Sequence, residues 1–253
     1  MATVTSGTTR HVTLRKGLLI LETLAAEARE FSVTELAERI GLGRSQTCEM
    51  LATLVETGYV LRNPHTRRYR IGLRTVELSS DILSRLEVRR VGMTYLFELM
   101  QQTGAHTVLG VPHRGGVLIL EACYPEGLYN PTHPHFGALL SMGNSALGRA
   151  LLAHLPEEER QRLCSAEELA ELTPLLAEAQ RTGLAPHIGY EEGKPVSMAY
   201  GAAIRDAEGE IVALLGCRID WQAWEQGDQD LFRHRVLTTV QGLSRALGYV
   251  PSS

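Results

Sequence analysis

Cysteine is scarce and scattered: Cys48, Cys123, Cys164 and Cys217 are the only four, and no two form a C-x-x-C pair. That spacing argues against a disulfide framework and against a zinc site built from cysteine alone. Buried free thiols are the ordinary reading. Lysine is nearly missing, with Lys16 and Lys194 the only two, so arginine carries the positive charge. No apolar run approaches the ~18 residues of a membrane span; the longest, such as Val117–Leu120 and Ile211–Leu215, are strand-sized. Residues 1–10 are polar and lack the apolar stretch of a secretory signal, so a cytoplasmic protein is expected. The G-x-S-x-G, H-E-x-x-H and P-loop patterns are absent, and no spacing pairs a cysteine with a histidine as nucleophile and base. No catalytic residue and no cofactor are expected.

What is present is enough for two folded units. The chain has 253 residues, 44% apolar and 21% charged, with a mean hydropathy of −0.07, which excludes a disordered or fibrous protein. The net charge of −4 hides an asymmetry: residues 1–75 carry 11 Arg and Lys against 7 Glu, and the remainder is acidic. A basic front and an acidic back point to modules with different partners.

Residues 1–11, rich in Thr, Ser and Gly, read as a flexible tail. Leu14, Leu18, Leu21, Leu24, Ala25 and Ala28 recur at helical steps and predict a first helix over Leu14–Ala28. Ser32-Val33-Thr34-Glu35 is a capping-box pattern opening a short helix that Gly41 closes. A third helix, Arg44–Thr57, follows the tight Gly41-Leu42-Gly43 turn, with Thr47, Leu51, Leu54 and Val55 inward. Helix, short turn, helix is the helix-turn-helix arrangement. Two strand-like runs, Tyr59–Arg62 and Arg68–Ile71, flank the turn-forming Asn63–Arg67 and complete a winged helix over residues 12–74. Such a module binds double-stranded DNA. The third helix offers Arg44, Ser45, Gln46 and Glu49 to bases and phosphates, and the wing offers Arg62, Arg67, Arg68 and Arg70.

Residues 75–103 read as one long helix with a break at Gly92, which makes 75–92 a linker and 93–253 a second domain of mixed type. Strands are predicted over His106–Val111, Val117–Cys123, Ser197–Ile204 and Glu210–Ile219. Helices are predicted over Ser145–His154, Glu157–Ser165, Pro174–Arg181 and Asp228–Leu247, with Pro156 and Pro174 in first turns. The glycine-rich run from Phe136 to Ala150 leads into a helix start at Asn144 or Ser145, where free amides attract a small anion. Leu140, Met142, Gly143 and Asn144 from this run, with Gly216 and Arg218 from one face of a strand, are the candidate effector residues. Arg218 either pairs with an acidic ligand or stands as an exposed edge residue. A rival reading is a metal or thiol sensor using Cys123, His133, His135 or Cys217; another is an enzyme built on the second domain.

The chain resembles the IclR family of bacterial transcription regulators over roughly Thr13–Tyr249. The resemblance is carried by Gly17–Glu22, Val33–Ala37, Gly41–Ser45, Leu51–Leu54, Gly58-Tyr59-Val60, Tyr69–Gly72, Ala146–Ala153, Glu191-Glu192 and Leu247-Gly248-Tyr249. It implies an α+β chain of two domains: a winged helix-turn-helix, a linker helix and a GAF-like effector-binding domain. It also implies homodimers or tetramers on pseudo-palindromic operators and a small effector, an organic acid or an aromatic. Glu49 stands where relatives often carry a basic residue, and Ser141-Met142-Gly143 where they often show Pro-Leu-His. Ala199 and Gly216 replace a common cysteine and a common pocket serine, which implies a pocket short of polar groups that fix the ligand.

Overall fold

The computed structural model describes residues 12–27, 29–125 and 134–251, so the tail at 1–11 and His133 lie outside the described residues. The chain divides after Ile82 into two compact units.

The first unit opens with α1 (Val12–Ala26), α2 (Val33–Ile40) and α3 (Arg44–Glu56). Ser32 starts α2 as predicted. Its hydroxyl accepts from the Glu35 amide at 3.2 Å, and its own amide donates to the Glu35 carboxylate at 2.6 Å. The Ser32 amide first, and then the hydroxyl, hold the Glu35 carboxyl down at about 2. Gly41 ends α2 in the left-handed region at φ 67°. Strands β1 (Val60–Arg62) and β2 (Tyr69–Ile71) form the hairpin, with Leu61 opposite Arg70. Phe31 and Tyr69 exchange two backbone hydrogen bonds of 2.8 Å, which tie the loop before α2 to the hairpin. Ile20, Leu24, Phe31, Leu36, Leu51 and Val60 form the core. The stripe predicted on α1 is only partly inward: Leu24 is buried, but Leu14 and Leu18 are exposed and Ile20 takes the core position. Two faces of α1 are apolar, and periodicity selects the longer one.

The helix predicted over 75–103 is two helices, α4 (Arg74–Leu83) and α5 (Glu87–Thr103), separated at 84–86. Gly92 is not the break. It is buried inside α5, where a Cβ would stand 3.1 Å from Leu109 Cδ2. The glycine there serves close packing on the sheet.

The second unit is built on β3 (His106–His113), β4 (Gly116–Cys123), β5 (Leu139–Ser141), β6 (Ala185–Glu191), β7 (Lys194–Arg205) and β8 (Ile211–Asp220). They form one antiparallel sheet in the order β5-β4-β3-β8-β7-β6. The helices are α6 (Ala146–Leu152), α7 (Glu157–Leu163), α8 (Ala166–Thr182), α9 (Trp221–Gln226) and α10 (Gln229–Ala246). Strand alternation divides the core into two layers. Val108 and Leu214 pack with Leu147, Leu151, Leu172 and Leu176 of α6 and α8. Their neighbours Leu109 and Leu215 pack with Leu96, Leu99, Val236 and Leu243 of α5 and α10. Pro174 does not begin a helix. It lies inside α8, which starts eight residues earlier behind a second capping box, Ser165 with Glu168.

Candidate DNA interface and effector pocket

In the first unit Arg44, Ser45 and Glu49 are exposed on α3. Gly43, which precedes the helix, supplies no side-chain cap, so the first-turn amides stay open to a phosphate. Gln46 is half-buried. Lys16 Nζ on α1 donates to its Oε1 at 3.0 Å, which engages the acceptor an adenine would use and leaves the Gln46 NH2 for a base edge.

The wing is braced rather than loose. Asn63 Oδ1 accepts from the amides of His65 and Thr66 at 2.9 and 3.2 Å. Glu30 accepts from Asn63 Nδ2 and from Thr66 Oγ1, both at 2.9 Å. Arg67 holds a left-handed turn position at φ 56°. The four wing arginines then differ. Arg68 donates to the Glu30 carbonyl at 3.2 Å and pairs with Glu35 at 3.2 Å. The Arg62 guanidinium lies 5.7 Å from the centre of the Tyr69 ring. Arg67 and Arg70 are exposed and make no ion pair among the described residues.

In the second unit a cavity of about 220 Å³ lies over the α6 side of the sheet. Its floor follows from register. Arg218 on β8 pairs with His106 on β3 and with Ala199 on β7, and Ala199 pairs with His187 on β6. Gly216 and Ser197, two residues from Arg218 and Ala199, share that face. Arg218 is therefore on an interior strand and turned into the cavity, not at an edge. Val108, Leu140 and Leu147 supply apolar wall, and Asn144 closes one side. Asn144 Oδ1 lies 3.2 Å from His187 Nε2. Burial first, and then the Arg149 and Arg218 guanidiniums, hold His187 down at about 4. The imidazole is thus neutral at pH 7 and donates to Asn144. Arg149 fastens the loop beside β6, donating to the carbonyls of Gly143 and Pro186 at 2.9 Å each.

The sequence-selected effector residues do not all meet. Leu140, Asn144, Ala199, Gly216 and Arg218 line the cavity. Met142 is buried in the α6–α8 layer and lines a different cleft, and Gly143 contributes its carbonyl to Arg149. Ser145 caps its helix start in part: its hydroxyl accepts from the Gly148 amide at 3.0 Å and donates to the Ser141 carbonyl at 2.6 Å. Gly216 is a packing position, since a Cβ there would overlap Leu147 and come 2.7 Å from Val108 Cγ2. Ser197, His187 and His106 also line the cavity and escape the sequence reading, although Ser197 alternates with Ala199 on a predicted strand. Burial pushes Cys217 up to about 12 and raises Cys123, which removes both from thiolate chemistry at neutral pH. Among the described residues no three His, Cys, Asp or Glu side chains gather as a metal site, and no helix is long and apolar enough to cross a membrane.

The model of the IclR helix-turn-helix domain matches residues 13–64, and that of the bacterial transcriptional regulator IclR C-terminal domain matches residues 80–245. The chain belongs to the IclR family. It is an IclR-type helix-turn-helix transcriptional regulator with a ligand-binding C-terminal domain. It is 27% identical to the HTH-type transcriptional regulator XynR of Escherichia coli over 249 residues, 93% of this chain and 97% of that one. It is 25% identical to the p-hydroxybenzoate hydroxylase transcriptional activator of Acinetobacter baylyi, over 81% of this chain and 79% of the relative. In fold it is similar to an IclR homologue from Microbacterium hydrocarbonoxydans solved in complex with 4-hydroxybenzoate. The TM-score is 0.78 and the identity 23%, over 93% of this chain and 98% of that one.

Proposed function

We propose that this IclR-family chain is a cytoplasmic homo-oligomer, a dimer or tetramer, that binds a pseudo-palindromic operator and releases or engages it according to a small organic-acid or aromatic effector. Arg44, Ser45, Gln46 and Glu49 of α3 contact the major groove, and Arg67 and Arg70 of the wing grip phosphate, with Arg62 beside them. Arg68 acts mainly as a brace, because Glu30 and Glu35 already engage it. The observation that carries the reading is an outward arginine face on a braced wing, in a chain that also holds a small walled cavity. The relative solved with 4-hydroxybenzoate supports a small aromatic acid as the first probe. The protein has no catalytic role in this reading: the cavity wall brings its one thiol, Cys217, to a state that burial keeps protonated.

Effector binding shifts the balance between DNA-competent and DNA-incompetent arrangements of paired winged helices, and α4 is the segment through which the two units are coupled. A coupling of ~1–3 kcal/mol changes operator occupancy severalfold.

The test is retention of genomic fragments by the purified protein, followed by sequencing. Enrichment of fragments sharing an inverted repeat is expected; equal retention of all fragments, or of none, overturns the reading. On the recovered operator, replacing Arg67 and Arg70 by alanine should weaken every sequence and lower the salt slope by about 0.9 for each phosphate that is no longer neutralised. Arg68→Ala should leave the slope nearly unchanged. If Arg68 alone moves the slope and the other two do not, the assignment of wing arginines to phosphate is reversed.

A further inference from the structure

Among the described residues Arg218 is the one permanent charge on the cavity wall, and no carboxylate lines that wall. Glu191 and Asp220 act on it from a distance, but it makes no ion pair among the described residues. Its position is built. Nε donates to Ser197 Oγ at 3.0 Å, and Ser197 is only 3% exposed. Space for that hydroxyl depends on Gly189 of the neighbouring strand, whose Cβ, if it had one, would stand 2.5 Å from Ser197 Oγ. Gly189 admits the hydroxyl, the hydroxyl holds Nε, and among the described residues the Nη1–Nη2 end of the fork has no hydrogen-bond partner. A half-buried guanidinium with that end free is matched by a carboxylate in two parallel hydrogen bonds. Most of the remaining wall is apolar, through Val108, Leu140, Leu147 and Ala199, with His106, Asn144 and His187 as polar groups beside them. The volume of about 220 Å³ lies below the ~300 Å³ at which drug-sized sites begin.

We propose that the cavity selects a small monocarboxylate with an apolar body, its carboxylate paired end-on with Arg218, and that Ser197 is the positioning residue for that fork. This rests on the reading of the cavity as the effector site. At the start of α6 the Gly148 amide is already taken by the Ser145 hydroxyl, so Arg218 is the charged anchor in this assignment. A second acidic group on the ligand finds no second arginine or lysine on the wall among the described residues. Selection is by charge at one end and by fit along the remainder.

The experiment is calorimetric titration of the full-length protein with benzoate, cyclohexanecarboxylate and hexanoate, and with benzamide and benzyl alcohol as neutral counterparts of benzoate. At least one carboxylate should bind, and benzoate should bind about tenfold or more tightly than benzamide. Arg218→Gln should abolish the acid-over-amide preference while leaving weak benzamide binding in place. Arg218→Lys, which keeps the charge and removes the fork, should retain part of it. Ser197→Ala should reduce the acid-over-amide ratio without changing benzamide affinity, an effect that general damage to the cavity does not produce. Equal binding of benzoate and benzamide by the wild type overturns the proposal, with no variant needed. An unchanged preference in both Arg218 variants also overturns it. So does silence toward all three carboxylates at about 10 mM, ten times a Kd of ~1 mM. Retention of operator DNA by the same preparation separates the outcomes: DNA bound without any carboxylate response defeats this assignment alone, whereas failure to bind DNA defeats the regulator reading.

Discussion

His187 stands on β6 beside Asn144, in the field of Arg149 and Arg218, and its protonation follows from that placement. A further cation brought near two guanidiniums in a half-buried site is disfavoured twice, by desolvation and by like charge. The ring is held at about 4 against an ordinary 6.5. The sign of the linkage is that of a depressed group: the stability it lends is complete above the unfolded value of 6.5 and is lost as pH falls through about 4. An NMR titration of the His187 imidazole should therefore give a midpoint near 4, and carboxylate binding should be flat between about pH 6 and 8. A midpoint near 6.5 would mean that the ring is neither buried in this site nor in the field of Arg149 and Arg218. At this scale strand alternation and the loop pattern pick out Arg218 and Asn144, but neither can pick out His187. Nothing local in Ala185-Pro186-His187-Ile188-Gly189 marks a strand, and the ring reaches the cavity only through pairing with Ala199 across the sheet.

Helix α6 meets the sheet over glycine, and this close approach sets the cavity's shape. At Gly201 a Cβ would overlap the carbonyl of Ala146 and stand 2.8 Å from the amide of Leu147, both backbone groups that cannot turn aside. Gly201→Ala should therefore lift α6 and cost about 1–3 kcal/mol of stability, lowering the unfolding temperature of the second unit by a few degrees per kcal/mol. A thermal melt unchanged by this substitution would show that α6 has slack the structure does not contain. Elements with their own chemical punctuation are legible in the sequence: α2 between Ser32 and Gly41, the wing around Asn63, and the long β7–β8 hairpin around Asp206–Gly209. Those that escape it lack such marks. Strand β6 carries Pro186 and Gly189, residues unfavourable inside a strand, and they are tolerated because β6 is an edge strand. The break between α4 and α5 falls at Ser84-Arg85-Leu86, with neither proline nor glycine to announce it. Pro174 misleads in the other direction, since α8 runs through it. The Ser165–Glu168 box, the same pattern that opens α2 at Ser32, is the better signal.

A monomeric winged helix reads one half-site, so an operator of two half-sites calls for a surface that pairs two copies. The first unit carries an exposed apolar groove that fits the oligomer proposed above. Leu14, Leu18, Leu54, Leu78 and Ile82, from α1, α3 and α4, line an apolar groove of about 750 Å³. Leu18 is 51% exposed and Ile82 63%. Contiguous apolar surface of this kind on a soluble chain marks an interaction site, and the periodic stripe on α1 that helical spacing assigns to the core is its near wall. In the proposed oligomer a second copy of the same unit covers it, since a two-fold interface lets one patch cover its own equal. It also gives α4 a reason to be apolar where it has no buried residue. Leu18→Asp combined with Ile82→Asp leaves Ile20, Leu24 and the rest of the core untouched, so folding should survive. Analytical ultracentrifugation should show assembly reduced by one level, dimer to monomer or tetramer to dimer. Operator affinity should fall steeply, while binding to a single half-site at low salt persists. If the double variant sediments as the wild type does, the groove is not where copies meet, and the pairing of recognition helices must be organised by the second unit instead.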